Sequence, residues 1–154
     1  MIFWRISAFP DLTGRGGMLA GGRWHRAGRP VVYLADSPAS AMLEVLVQLE
    51  IDAEDVPDNL KLLRIEIPDS ASMQNLADHL PEHWEDNPAH TRALGDDWLA
   101  KNQTLLLQVP SAIMPHTRNY LFNPLHAEAG LAKVEVETLR LDGRLLKGRS
   151  PTSG

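Results

Sequence analysis

From its first residues the chain alternates. Ile2, Trp4 and Ile6 fall on one side and Phe3 and Arg5 on the other, the two-residue period of a strand. Residues 14–30 break that pattern with six glycines and end at Pro30, predicting a loop or ragged hairpin whose backbone can take positive φ or approach a ligand closely. VVYLA, residues 31–35, is β-branched and aromatic and predicts a buried strand. A helix follows, with Ser37 as cap, Pro38 at its first position, and apolar residues recurring at Ala41, Val45 and Leu49 and at Met42, Leu46 and Leu49. LKLLRIEI, residues 60–67, predicts a strand with Leu63, Ile65 and Ile67 inward, stopped by Pro68. A second helix is expected from Asn87 and Pro88 to Lys101, with Leu94 and Trp98 on one face and Gly95 as its weak point. TLLLQV (104–109) is a buried strand ended by Pro110, and VEVETLRL (134–141) another, whose alternation slips at Thr138 as at a bulge. Strands dominate without regular alternation with helices, so one α+β domain is expected rather than a doubly wound sheet. GRSPTSG, residues 148–154, reads as a disordered tail.

Composition narrows the classes of function. A chain of 154 residues fits one domain. Cysteine is absent, which excludes disulfides, thiolate metal sites and a Cys nucleophile and accords with a reducing cytoplasm. MIFWRISAFPDL has no charged stretch leading into an apolar run, so a signal peptide is not expected. No window approaches the roughly 20 apolar residues of a membrane span. A net charge of −5 argues against a general nucleic-acid binder, whose affinity comes mainly from neutralising phosphates. Five arginines nevertheless lie between Arg5 and Arg29 with one acid, Asp11. Such a local positive field suits a small phosphorylated ligand, or is simply a solvated basic loop.

Several short patterns carry possible chemistry. His79 and His83 are four apart, but Pro81 interrupts the helix that would align them and no Glu follows the first His, so no metal site is expected. The glycine-rich segment has neither a phosphate-loop Gly-Lys-Ser/Thr nor a GxGxxG opening a helix. GGRWH (21–25) gives the backbone room, and Arg23 offers a planar, permanently charged fork suited to a phosphate, or an exposed Arg on a tight turn. Trp24 is placed to stack on a ring or to anchor the loop. Tyr33 lies mid-strand and needs a partner for its hydroxyl if buried. Glu44 falls on a helix stripe with Ser37, Ala41 and Gln48, where an acid is either functional or merely solvated. Ser111 stands just past a buried strand between Pro110 and Pro115, a place for a functional group or a capping serine.

In combination these motifs resemble the RES domain, named for its Arg, Glu and Ser. They are GGRW, a Tyr ten residues on, a Glu eleven further, then VPSA (109–112) and NY-x-x-NP-x-H (119–126). The resemblance runs from Trp4 to Leu141. One departure is His25, where the family usually has Asn.

The resemblance implies an ADP-ribosyltransferase-like split sheet, mixed or antiparallel, with flanking helices over residues 1–147. It implies a toxin of a toxin–antitoxin pair that consumes NAD+ as a substrate, with no other cofactor and no metal. The family's catalytic set falls on Arg23, Tyr33, Glu44 and Ser111, with Arg5, Trp24, His25 and Asn119 as substrate contacts. Glu44 would face the cationic ribose of the transition state, Arg23 and Arg5 the diphosphate, and Tyr33 the nicotinamide. Ser111 would bond the nicotinamide amide or a ribose hydroxyl. The implied partners are a helix-turn-helix (Xre-type) antitoxin and a second copy of the chain, without direct nucleic-acid or membrane binding. Water, phosphate or a protein side chain are all open as acceptors of ADP-ribose. Two rivals remain: a non-catalytic binding module that keeps the fold, and a hydrolase of another phosphorylated nucleotide.

Overall fold

Two helices begin where their capping residues stand. The Ser37 hydroxyl accepts the N–H of Ser40 at 3.1 Å, opening α2 (Pro38–Gln48). The Asn87 side chain accepts the N–H of His90 at 3.2 Å, opening α3 (Pro88–Lys101), which stops at Asn102 in the left-handed conformation. Five residues of the glycine-rich segment form a short helix, α1 (Arg15–Leu19). This computed structural model describes residues 1–48 and 58–145. Leu49, on the predicted apolar stripe, and the predicted disordered tail lie outside them.

The strands are β1 (Ile2–Ser7), β2 (Val32–Ala35), β3 (Lys61–Glu66), β4 (Met73–Asn75), β5 (Leu106–Pro110), β6 (Arg118–Phe122) and β7 (Lys133–Thr138). They form one seven-stranded sheet in the order β4-β5-β6-β2-β1-β3-β7. The β4–β5 pair is parallel and all others are antiparallel. The fold is therefore a mixed-sheet α+β domain, as expected. The expected split is a seam: β1 meets β2 through the single register pair Trp4↔Ala35, whereas β1 and β3 pair over six residues. β7 runs in unbroken register with β3 and ends at Thr138, so the slip in the pattern there marks the end of the strand rather than a bulge.

Alternation sorts the side chains. Leu63, Ile65 and Ile67 are fully buried, and with Phe3, Val32, Leu34, Leu106 and Phe122 they form the core on one face. On the other face, α2 lays Ala41, Met42 and Val45 on Trp4, Ile6 and Ala35, bridging both sides of the seam. Beside it α3 lays Trp98 and Leu99 on Leu107, Val109 and Leu121, and Trp24 and Val31 join them. The Trp98 indole donates to Thr104 Oγ1 at 2.8 Å, so its burial leaves no orphan donor. Among the described residues no helix is long and apolar enough to cross a membrane.

Candidate functional site

Glu44 sits on α2 beside the end of β5 and the start of β6. Its Oε1 accepts the Asn119 amide of β6 at 2.8 Å and the Ser111 hydroxyl at 3.1 Å, while Oε2 makes no hydrogen bond among the described residues. Ser111 is itself fixed, since its Oγ accepts the N–H groups of Ile113 and Met114, each at 3.1 Å. One donated and two accepted bonds use the whole capacity of a hydroxyl. Asn119 is 9% exposed, and its Oδ1 is buried without a partner among the described residues. The result is a carboxylate locked through one oxygen and open at the other.

A second cluster adjoins it. The Tyr33 hydroxyl accepts the Trp24 N–H at 3.1 Å and lies 2.6 Å from His25 Nδ1, while His25 Nε2 lies 2.9 Å from the Gly17 carbonyl. A carbonyl only accepts, so Nε2 carries the proton and the phenol donates to Nδ1. Burial pushes the Tyr33 phenol well above its ordinary value, so it stays protonated and is not a base. A side chain on Gly22 would meet the Tyr33 hydroxyl at 2.6 Å, which is why glycine stands there. Arg23 projects from the same loop. Its Nη2 donates to the carbonyls of Trp84 and Glu85, its guanidinium lies 5.7 Å from the Trp84 ring, and its Nε is buried without a partner among the described residues.

The register relates the two clusters. Tyr33 is opposite Leu121 and Ala35 opposite Asn119, so Tyr33 and Asn119 share one sheet face as diagonal neighbours. Such neighbours lie roughly 7–8 Å apart. Arg5 is different: alternation puts it with Phe3 on the face away from α2, and its Nη1 donates to the Asp11 carbonyl at 3.0 Å. Burial lowers its pKa, and Asp11 partly offsets that. Among the described residues no three His, Asp or Glu side chains gather as a metal site.

Residues 2–143 match the family model of the RES domain. The chain belongs to the RES-domain family. A relative from Pseudomonas putida named "Toxin Res" is 57% identical over 145 residues, spanning 94% of this chain and 99% of the relative. The "Prs ADP-ribosylating toxin" of a Sphingobium species is 35% identical over 157 residues, 94% of this chain and 96% of its own length. The fold also matches the crystal structure of the M. tuberculosis MbcT–MbcA toxin–antitoxin complex, at TM-score 0.71 and 20% identity, over 90% of this chain and 83% of that one.

Within this RES-domain fold, the residues expected at the site divide into three groups. Glu44, Ser111 and Asn119 are brought into direct contact. Arg23 and Tyr33 share the adjoining loop cluster, with the Tyr33 hydroxyl committed to that loop rather than open to a ligand. Among the described residues Arg5 hydrogen-bonds to neither group. Two expected substrate contacts need correction. Trp24 is 3% exposed and its ring centroid lies 5.6 Å from that of Trp84, so it anchors the loop instead of stacking on a ligand. His25 is 1% exposed with both ring nitrogens engaged inside the protein, so it does not reach a substrate. The hydroxyl of Ser111 is likewise engaged with Glu44 and its own turn. Trp84 and Thr91, which hold the loop, were not singled out from sequence, because their role exists only once α3 and the turn before it dock on the loop.

The brace is testable. Tyr33→Phe leaves the Trp24 N–H and His25 Nδ1 without their partner, and losing a buried hydrogen-bond partner costs about 1–3 kcal/mol. The urea midpoint should fall accordingly with the slope unchanged. A wild-type midpoint would show that the loop finds other partners.

Proposed function

We propose that this RES-domain toxin cleaves the nicotinamide–ribose bond of NAD+, with Glu44 as the group that stabilises the cation formed. Breaking that bond leaves positive charge on the ribose, and a fixed carboxylate facing it lowers the barrier without having to reorganise. The observation that carries this reading is the state of Glu44, with Oε1 held by Ser111 and Asn119 and Oε2 unengaged among the described residues. Arg23 takes the diphosphate through Nη1, which makes no hydrogen bond among the described residues. NAD+ enters as substrate and leaves as products, so it is not a retained cofactor. The name of the Sphingobium relative supports ADP-ribosyl chemistry.

An Xre-type helix-turn-helix antitoxin is the proposed neutralising partner. The toxin–antitoxin complex solved for the structural neighbour supports that part of the reading. A homodimer and residence in the cytoplasm, where NAD+ is abundant, complete it. The departure at His25, where the family usually has Asn, leaves the Glu44 contacts as they are, since its ring is buried and bonded to Tyr33 and the Gly17 carbonyl.

Purified protein incubated with NAD+ should release free nicotinamide, measured by chromatography. Expression without the antitoxin should lower cellular NAD+ and stop growth. A folded protein that releases none would overturn the reading, and turnover of a different phosphorylated nucleotide would reassign the substrate.

A further inference from the structure

Resting on the NAD+ reading, we propose that Thr91 is a positioning residue for Arg23: its hydroxyl holds the Arg23 carbonyl and so sets where the guanidinium meets the substrate. Thr91 is fully buried, and its Oγ1 donates to the Arg23 carbonyl at 2.7 Å across 68 positions of chain. The same hydroxyl lies 3.1 Å from the Pro88 carbonyl, so the shorter contact is the one to the loop.

Thr91 does not act alone. One residue on, Arg92 Nε donates to the Gly22 carbonyl at 3.0 Å, and one turn further Asp96 Oδ1 accepts the Arg26 N–H at 3.0 Å. Gly95 lies between them, bare enough for the Trp24 carbonyl to pass. Positions 91 and 95, and 92 and 96, are each one helical turn apart and share a face of α3. That face meets the backbone of residues 22–26 at four points, Gly22, Arg23, Trp24 and Arg26. The loop's own ladder is one bridge, Gly22↔His25, too little to hold an arginine in place. The guanidinium end is steadied separately by the Trp84 turn, so Thr91 governs the root of the side chain and Trp84 its tip.

Thr91→Val keeps the shape and removes the donor, whereas Thr91→Ser keeps the donor. A diphosphate is charged in the ground state and the transition state alike, so a misplaced Arg23 should weaken both equally. The expected result for Thr91→Val is a rise in KM for NAD+ of roughly five- to tenfold with kcat within about twofold. Thr91→Ser should restore the wild-type KM. In an Arg23→Ala background Thr91→Val should add almost nothing, because the two residues act through one contact. Amides of residues 21–26 should exchange faster in Thr91→Val while the slowest core amides keep their rates. If the Val variant does not fold, Thr91→Cys, similar in size with a weaker donor, should give an intermediate KM.

An unchanged KM, a fall in kcat alone, or a full Thr91→Val effect in the Arg23→Ala background would each overturn the proposal. If wild-type protein releases no nicotinamide, the NAD+ reading fails by itself. Exchange at residues 21–26 then decides whether Thr91 holds the loop, and an unchanged rate rejects it.

Discussion

Glu44→Gln is expected to slow nicotinamide release on the order of 100-fold, about 2.7 kcal/mol in the barrier, while the KM for NAD+ moves little. The structure makes this substitution unusually clean. A glutamine Oε1 can still accept from Ser111 and Asn119 at 3.1 and 2.8 Å, so the anchors survive and only the charge at the Oε2 position is lost. An interaction that strengthens as the ribose becomes cationic acts on turnover rather than on binding. Steady-state kinetics, after checking that the variant unfolds cooperatively, decide the point. Near-normal kcat would make the carboxylate a structural acceptor for Asn119 and Ser111 and nothing more.

Gly95→Ala is expected to destabilise the fold strongly. In an exposed helix interior this substitution stabilises by roughly 0.5–1 kcal/mol, because alanine loses less backbone freedom than glycine. Here the added Cβ would fall on the Trp24 carbonyl oxygen and stand 2.7 Å from its carbon, both backbone atoms. Nothing flexible can yield, so α3 and the loop must separate, at an expected cost of about 3 kcal/mol or more. Chemical denaturation should show a large drop in midpoint, and NAD+ turnover should fall with it as the Thr91 and Asp96 contacts open. A stabilised variant would mean that α3 stands off the loop by more than this packing allows.

Gly95 also illustrates what could be read from the chain and what could not. On helical propensity it is a defect; only the docked loop shows it as a requirement. The starts of α2 and α3 were legible because Ser37–Pro38 and Asn87–Pro88 act locally, through a side-chain cap and a fixed φ. β1 and β3 were legible because their apolar positions alternate or run together. β6 escaped because Tyr120, Leu121 and Phe122 face two cores at once, so its pattern never alternates, and Asn119 interrupts it with a buried amide. β4 is three residues long, below the reach of any period, and α1 was hidden by Gly16 and Gly17. At the site, the resemblance to the RES domain singled out Glu44, Ser111 and Asn119, and the structure places them in contact. It could not say that Trp24 and His25 point inward, because a side chain's direction in a glycine-rich loop follows from tertiary docking and not from spacing.

The seam between β1 and β2 divides these groups in a way that matters for motion. Ser111, Asn119, Tyr33 and the Arg23 loop all belong to the β4-β5-β6-β2 side, whereas Arg5 rides on β1 with β3 and β7. Across the line there is one register pair, and what closes it is apolar contact: Phe3, Val32, Leu34 and Leu63 behind, and α2 in front. A hydrogen-bonded ladder resists shear because each bond is directional, but apolar contact is not directional and tolerates a change of angle. The seam is therefore the line along which directional bonding resists a change of angle least, and α2, which packs on Trp4 and Ile6 of one side and Ala35 of the other, is what spans it.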